Sequence, residues 1–275
     1  MPVGGEGMET AGPTNPYEAP RAELNAPAPG PGLPANLENA VAGNYDFTVG
    51  EVMEEAWRLT KGMKGTFWGA AIVIGLIHMV VGMIGGVIYV IVLGRVPGQI
   101  ANQVFNGVIN ALMTPFQVGL YMMCVRRAIG LPISFGTAFS YLNHTGVLLA
   151  TALLALVMTC LGLALLIVPG IYLGLGYLLA NQLVCDQGLS PWKAMETSRR
   201  AIHHHWWSVL GLLLLVGLIT GASALGLLIP LIWTIPWAAM VTGVLYRRIF
   251  YAPAPAAAPQ PQPAAPAPAP ASASG

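Results

Sequence analysis

Four long stretches of this chain contain no Asp, Glu, Lys or Arg: residues 65–94, 96–125, 128–185 and 201–246. No other feature constrains the fold as strongly. A membrane-crossing helix needs about 20 predominantly apolar residues. The first two stretches have room for one such helix each, and the last two for two each. Of the 275 residues, 8% are charged and 55% are hydrophobic, whereas soluble domains carry roughly 25% charge. In lipid, backbone amides must find their partners inside the segment, so apolar stretches of this length read as helices. The expected fold class is all-α, a polytopic transmembrane helical bundle of six spans.

The cations orient it. Arg58, Lys61 and Lys64 precede the first span, and Arg126 and Arg127 follow the second. Lys193, Arg199 and Arg200 lie between the fourth and fifth, and Arg247 and Arg248 follow the sixth. Only Arg95 falls in a loop of the other parity. Basic residues near spans stay on the cytoplasmic side. The expected location is the cytoplasmic (inner) membrane, multi-pass, with both termini in the cytoplasm. The opening "MPVGGEGMETAGP" has neither the basic region nor the apolar core of a signal peptide, so the first span is expected to direct insertion.

Residues 1–44, rich in Pro, Gly, Ala and Asn, read as a disordered N-terminal tail. Residues 45–250 form the membrane domain. Residues 251–275, almost wholly Ala and Pro, read as a disordered, polyproline-prone C-terminal tail. The first tail carries "NPYEAP" (15–20), a short motif with a possible recognition role.

A repeat runs through the middle. "TVGEVMEEAWRLTKG" (48–62), "SFGTAFSYLNHTG" (134–146) and "SPWKAMETSRRAIHHHWW" (190–207) each open on a Thr or Ser suited to cap a helix, then lead into a span. Thr48 has Glu51 three residues on, the pattern of a capping box. Pro115 and Pro236 each precede an arginine pair by eleven residues, and Pro169 takes the matching place in the middle unit. The inferred plan is three units, each an amphipathic helix plus a membrane hairpin. Val49, Val52, Met53, Ala56 and Met63 make the apolar face of the first helix, with Glu54 spaced to pair with Arg58. Trp192, Met195, Ile202 and Trp206 do the same for the third, with Glu196 spaced to pair with Arg200. Such helices lie in the membrane interface, basic residues toward lipid phosphates. Pro115 is expected to kink the second span, since residues 116–125 alone are too short to cross.

The string "RRAIHHHWW" (199–207) invites a metal-site reading. On a helix, however, His203, His204 and His205 fan out over about 200°, and neighbours meet at spacings of three or four. No metal is therefore expected. Trp206 and Trp207 stand where an aromatic belt meets the membrane surface. Arg199, Arg200, His203, His204, His205, Trp206 and Trp207 are the expected contacts for lipid headgroups or a partner.

Inside the spans, the polar candidates are His78, Asn110, Gln117, Asn181 and Gln182. An ionisable group at mid-membrane is a functional candidate by default. No acidic residue lies in any span to partner His78, so hydrogen bonding to a neighbouring helix is its simpler reading. The amides either line a hydrophilic path or hydrogen-bond between helices. Gly82/Gly86, Gly170/Gly174 and Gly217/Gly221 are spaced for close helix packing.

Cys124, Cys160 and Cys185 form no paired motif and read as small apolar packers. No catalytic residues, cofactor or metal are expected, because none of the familiar nucleophile, zinc or phosphate-loop motifs occurs. Nucleic acid is not an expected partner, since the net charge is +1 and the cations are scattered. The expected partners are membrane lipids, anionic ones in particular, with a homo-oligomer or other membrane proteins as further candidates. Acting through such contacts, in envelope maintenance or as a scaffold, is the leading functional expectation, with a small-solute transporter or channel as the alternative.

Residues 165–207 resemble one family. The run "IVPG" followed by D-x-G-x-x-P-x-x-A-x-x-x-S and a basic helix is similar to a loose bacterial family of six-span membrane proteins. These are related to the membrane domain of glycerophosphoryl diester phosphodiesterases. The matching residues are Pro169, Gly170, Asp186, Gly188, Pro191, Ala194 and Ser198. The family's frequent Arg-Trp in the fourth helix is replaced here by "GLGYLLANQ". The resemblance implies a six-span fold and a membrane location. It implies no phosphodiesterase activity, because the soluble catalytic domain is absent.

Overall fold

A computed structural model describes residues 35–94, 98–225 and 229–251. Among these are ten α-helices and two short 3-10 turns, with no strand. The motif "NPYEAP" and Arg95 lie outside the described residues.

Five helical segments are long and apolar enough to cross a membrane: Lys64–Val92, Ala101–Ala128, Phe135–Leu165, Ile167–Gln187 and Trp206–Leu225. They correspond to helix α3 (Lys64–Leu93), α4 (Gln99–Ala128), α5 (Thr145–Leu165) with the two 3-10 turns before it, the pair α6 (Ile167–Gly176) and α7 (Ala180–Gln187), and α9 (Trp206–Leu225). The outer faces of α3, α5 and α9 are largely hydrocarbon, whereas α4 exposes Asn102, Gln103, Asn106, Asn110 and Gln117. Ile72, Met79, Met83 and Ile91 on α3, Leu156 and Leu161 on α5, and Leu218 on α9 are all exposed. An apolar surface this continuous is stable only against lipid or another apolar partner.

The sixth expected span is a different object. Helix α10 (Leu231–Phe250) is 20 residues long but carries Thr234, Pro236, Thr242, Arg247 and Arg248, and falls short on composition. It is the most buried helix of the bundle, with Trp237 and every residue from Met240 to Arg247 enclosed. A helix surrounded by protein needs less apolar character than one facing lipid, which explains the weaker hydropathy. Its seam with α4 is backbone-close. A Cβ on Gly243 would stand 2.6 Å from the Cys124 carbonyl carbon. Helix α4 runs on through Pro115 as one helix, whereas another span is interrupted outright. That interruption falls in the fourth span, where the turn Tyr177–Leu179 separates α6 from α7.

The remaining helices gather at one end. Helix α2 (Val49–Thr60) takes its N-cap from Thr48, whose hydroxyl accepts the Glu51 amide at 3.3 Å. Val52, Ala56 and Met63 of its expected face are buried, and Val49 and Met53 pack partly against the core. Helix α8 (Pro191–His204) buries Ala194, Met195, Ala201 and Ile202 against α5, α6 and α7. Its apolar face is thus covered by protein, and Trp192, expected on that face, is 59% exposed.

Two expectations need correction here. The second repeat unit forms 3-10 turns at Phe135–Phe139 and Leu142–His144 in place of an amphipathic α-helix. Gly136, Ser140 and Asn143 in that segment are weak helix formers. And the expected N-terminal tail is ordered at its end: α1 (Leu37–Ala42) is capped by the Asn36 side chain, which accepts the Asn39 amide at 2.9 Å. It closes on Gly43 in the left-handed conformation (φ 78°) and docks through the Asn36 amide, which donates to Phe250 O at 2.7 Å.

Of the three glycine pairs, only Gly170/Gly174 sits in a tight seam. A Cβ on Gly170 would meet Leu163 at 2.3 Å, whereas Gly82, Gly86, Gly217 and Gly221 have nothing within 4 Å. Cys124 is buried and Cys185 half-buried, but Cys160 is exposed on α5.

Candidate functional site at the charged end

Most charged side chains among the described residues belong to the end where α1, α2 and α8 gather, or to the helix ends that meet there; Lys64, at the start of α3, lies over Trp233 in the first turn of α10 (5.6 Å). Two ion-pair groups and a carboxylate cluster organise it. Glu55 of α2 reaches Arg247 at 2.5 Å and Arg248 at 3.1 Å on α10. Arg247 also donates to Ala128 O at the end of α4 (3.4 Å), and Trp237 Nε1 donates to Met53 O (3.1 Å). The sequence spacing favoured Glu54 as the partner of Arg58. The structure instead buries Glu55, and Arg58 lies 4.0 Å from it.

Asp186, at the end of α7, accepts the Tyr246 hydroxyl at 2.6 Å and the Tyr251 hydroxyl at 2.8 Å. The motif residues around it have structural work. Gly188 ends α7 in the left-handed region, Pro191 opens α8, and Ala194 is fully buried. Ser198 stitches the break in the fourth span. Its hydroxyl donates to Gly176 O at 2.6 Å and accepts the Leu179 amide at 3.2 Å.

The expected contact residues come together around α8. Glu196 accepts from Arg199 Nη2 and Nε, at 2.8 and 2.9 Å, and from Arg200 Nε at 2.6 Å. The Arg199 hydrogen bonds hold the Glu196 carboxyl down at about 2, and the same contact raises the Arg199 guanidinium. Arg199 also donates to the Tyr172 hydroxyl at 3.1 Å, which in turn stands 3.1 Å from His203 Nδ1.

The three histidines serve three different neighbours: α8 ends at His204, and His205 stands in the turn before α9 in place of continuing the expected helix. His203 meets Tyr172. His204 Nε2 donates to Val41 O at 3.0 Å, with its ring against Gly43, whose missing Cβ would clash at 2.6 Å. His205 packs on Tyr45 (4.8 Å between ring centroids) and Phe47 (5.7 Å). Burial pushes the Tyr45 phenol up, and its hydroxyl donates to Ala201 O at 2.6 Å. Among the described residues, no group of three His, Cys, Asp or Glu could hold a metal ion. Beside the histidines lies a cavity of about 310 Å³, lined by Tyr172, His203, His204, His205, Trp206, Trp207 and Ser208. Trp206 Nε1 is shielded and has no partner among the described residues, and Trp207 is 78% exposed.

The intramembrane candidates divide. Gln117, Asn181 and Gln182 converge on a second cavity of about 180 Å³, joined by Thr114, Tyr121 and Thr242. Asn110 lies outside that wall, exposed on α4, donating to Asn106 O at 2.8 Å. His78 is half-buried on α3 and lines neither cavity.

Sequence reasoning missed Glu55 and Thr242, and named Asp186 only as a residue of the family motif. Each depends on a partner more than 50 residues away. No family model, no curated protein and no solved structure matches the chain.

Proposed function

We propose that the protein is a non-enzymatic, six-span protein of the cytoplasmic membrane that acts by holding anionic lipid headgroups at its charged end. In this reading α10 is the sixth span and both termini are cytoplasmic. The observation that carries it is the cavity beside α8. His203 and the Ser208 hydroxyl line it and are hydrogen-bond donors for a phosphate, and nearby on α8, outside the wall, Arg199 and Arg200 outnumber their shared partner Glu196. Trp207 stands at the rim, where an indole anchors at the headgroup level. A phosphate accepts several such hydrogen bonds at once, and charge assistance makes each stronger.

The test is lipid retention. The full-length chain, released gently into detergent with mixed phosphatidylcholine and phosphatidylglycerol, is examined by native mass spectrometry. Phosphatidylglycerol is expected to be retained preferentially. Arg199→Gln with Arg200→Gln is expected to weaken that preference by about tenfold, the equivalent of one to two charge-assisted hydrogen bonds. Equal retention of the two lipids by the unaltered chain refutes the reading.

A further inference from the structure

We infer that the second cavity is a binding site for a small, uncharged, polyhydroxy or amide group. It is distinct from the headgroup cavity, with which it shares no residue, and it stands whether or not that reading holds.

Gln117 lies nine residues before Arg126 on α4, and Thr242 lies five before Arg247 on α10. At 1.5 Å per residue these positions are about 14 and 8 Å from those arginines along their helices. Polar side chains enclosed between helices are costly unless they are paired. Here six of them converge from three elements: Thr114, Gln117, Tyr121, Asn181, Gln182 and Thr242. Gln182 and Thr242 are buried. The Asn181 side-chain oxygen is shielded and has no hydrogen-bond partner among the described residues.

The break in the fourth span sharpens the point. A continuous helix would satisfy its own amides. This one is interrupted at Tyr177–Leu179, where Ser198 takes Gly176 O and the Leu179 amide and the Tyr177, Leu178 and Ala180 amides bond to Leu173 O, Leu175 O and Tyr177 O. The Gln182 amide, in its better-satisfied orientation, donates to Leu178 O and Leu179 O at 3.2 Å each. The break places Leu178, Asn181 and Gln182 together in the cavity wall. Broken helices of this kind in membrane proteins occur where they line a cavity.

The wall selects the ligand's chemistry. It offers amide and hydroxyl donors and acceptors but no charged side chain, so a charged ligand would lose hydration without a counter-ion. At about 30 Å³ per water-sized group, a volume of about 180 Å³ takes roughly six non-hydrogen atoms. Gln117 and Tyr121 are exposed at the edge, which leaves two sources open: a free neutral polyol, or the hydroxylated head of a neutral lipid.

The test uses the full chain in phosphatidylcholine nanodiscs with glycerol as the probe. Saturation-transfer NMR reads contact between protein and ligand. Glycerol is expected to give a saturable signal that glycerate, the charged analogue of similar size, does not compete away. Gln117→Leu and Thr242→Val are each expected to weaken apparent binding by up to about tenfold, the value of one hydrogen bond. Thr242→Ser, which keeps the hydroxyl, is expected to restore it, and unchanged thermal melting shows that the variants fold. Monoacylglycerol added to the bilayer separates the sources: displacement of glycerol assigns the site to a lipid head, and persistence to a free solute. Glycerol contact equal in the unaltered chain and both leucine and valine variants overturns the inference. So does a change of oligomeric state in Gln117→Leu without loss of glycerol contact, which would make this face of α4 an interface between copies.

Discussion

Substituting Glu55 by Gln removes a charge from a place where water cannot replace it. The Glu55 and Arg247 side chains are each 9% exposed, and the guanidinium has been taken out of water to lie against α2. Without the carboxylate, Arg247 keeps only the Ala128 carbonyl. Removing one member of a buried pair typically costs about 3–5 kcal/mol, because the other charge is left uncompensated. The Arg248 contact, with a partner 31% exposed, adds at most about 1 kcal/mol. A loss of about 3–5 kcal/mol is a large share of a typical stability of about 5–15 kcal/mol. Denaturant titration in mixed micelles, followed by circular dichroism, measures it. Glu54→Gln, one residue away and exposed, is the control and is expected to change stability by less than about 0.5 kcal/mol. Replacing both Glu55 and Arg247 by Met is expected to recover most of the loss, since neither charge then remains to be desolvated. A cost for Glu55→Gln no greater than for Glu54→Gln refutes the reasoning.

Ser198→Ala leaves the Gly176 carbonyl and the Leu179 amide without their partner, at a cost of about 1–3 kcal/mol, and hydrogen exchange at the Leu179 amide should quicken. Gly243→Ala drives a methyl into the Cys124 backbone, 2.6 Å away, and is expected to lower the unfolding midpoint by the equivalent of about 1–3 kcal/mol. Gly82→Ala, with nothing within 4 Å, is expected to be neutral or mildly stabilising in the same titration. Acid should loosen α8. The Glu196 carboxyl titrates at about 2 when folded, against an ordinary 4.5, so its contribution is complete above about pH 5 and is lost as the pH falls toward 2. Trp206 fluorescence followed across that range should shift, and Glu196→Gln should flatten the profile.

The boundary between what the sequence determined and what tertiary structure decided follows the reach of each interaction. Charge-free runs, the caps at Thr48 and Pro191, and the apolar stripe of α2 depend on neighbours within a few residues, so they were readable along the chain. His203, His204 and His205 face three different neighbours, but a tertiary feature contributes, since α8 ends at His204 and the chain turns at His205 before α9. The grouping of Gln117, Asn181 and Gln182 was legible only as a list of polar residues at suspicious depth. Their meeting depends on how α4, α7 and α10 pack, and on a helix break that no proline marks. Pro115 looked like the stronger breaker, yet α4 continues through it, while the fourth span breaks at Tyr177–Leu179, where Ser198 from α8 supplies replacement hydrogen bonds. Glu55 and Glu54 are adjacent acids on one helix, and spacing to Arg58 favoured the wrong one. Only docking against α10 turned Glu55 inward to Arg247, because a buried guanidinium needs a carboxylate and the fold brings that one within reach.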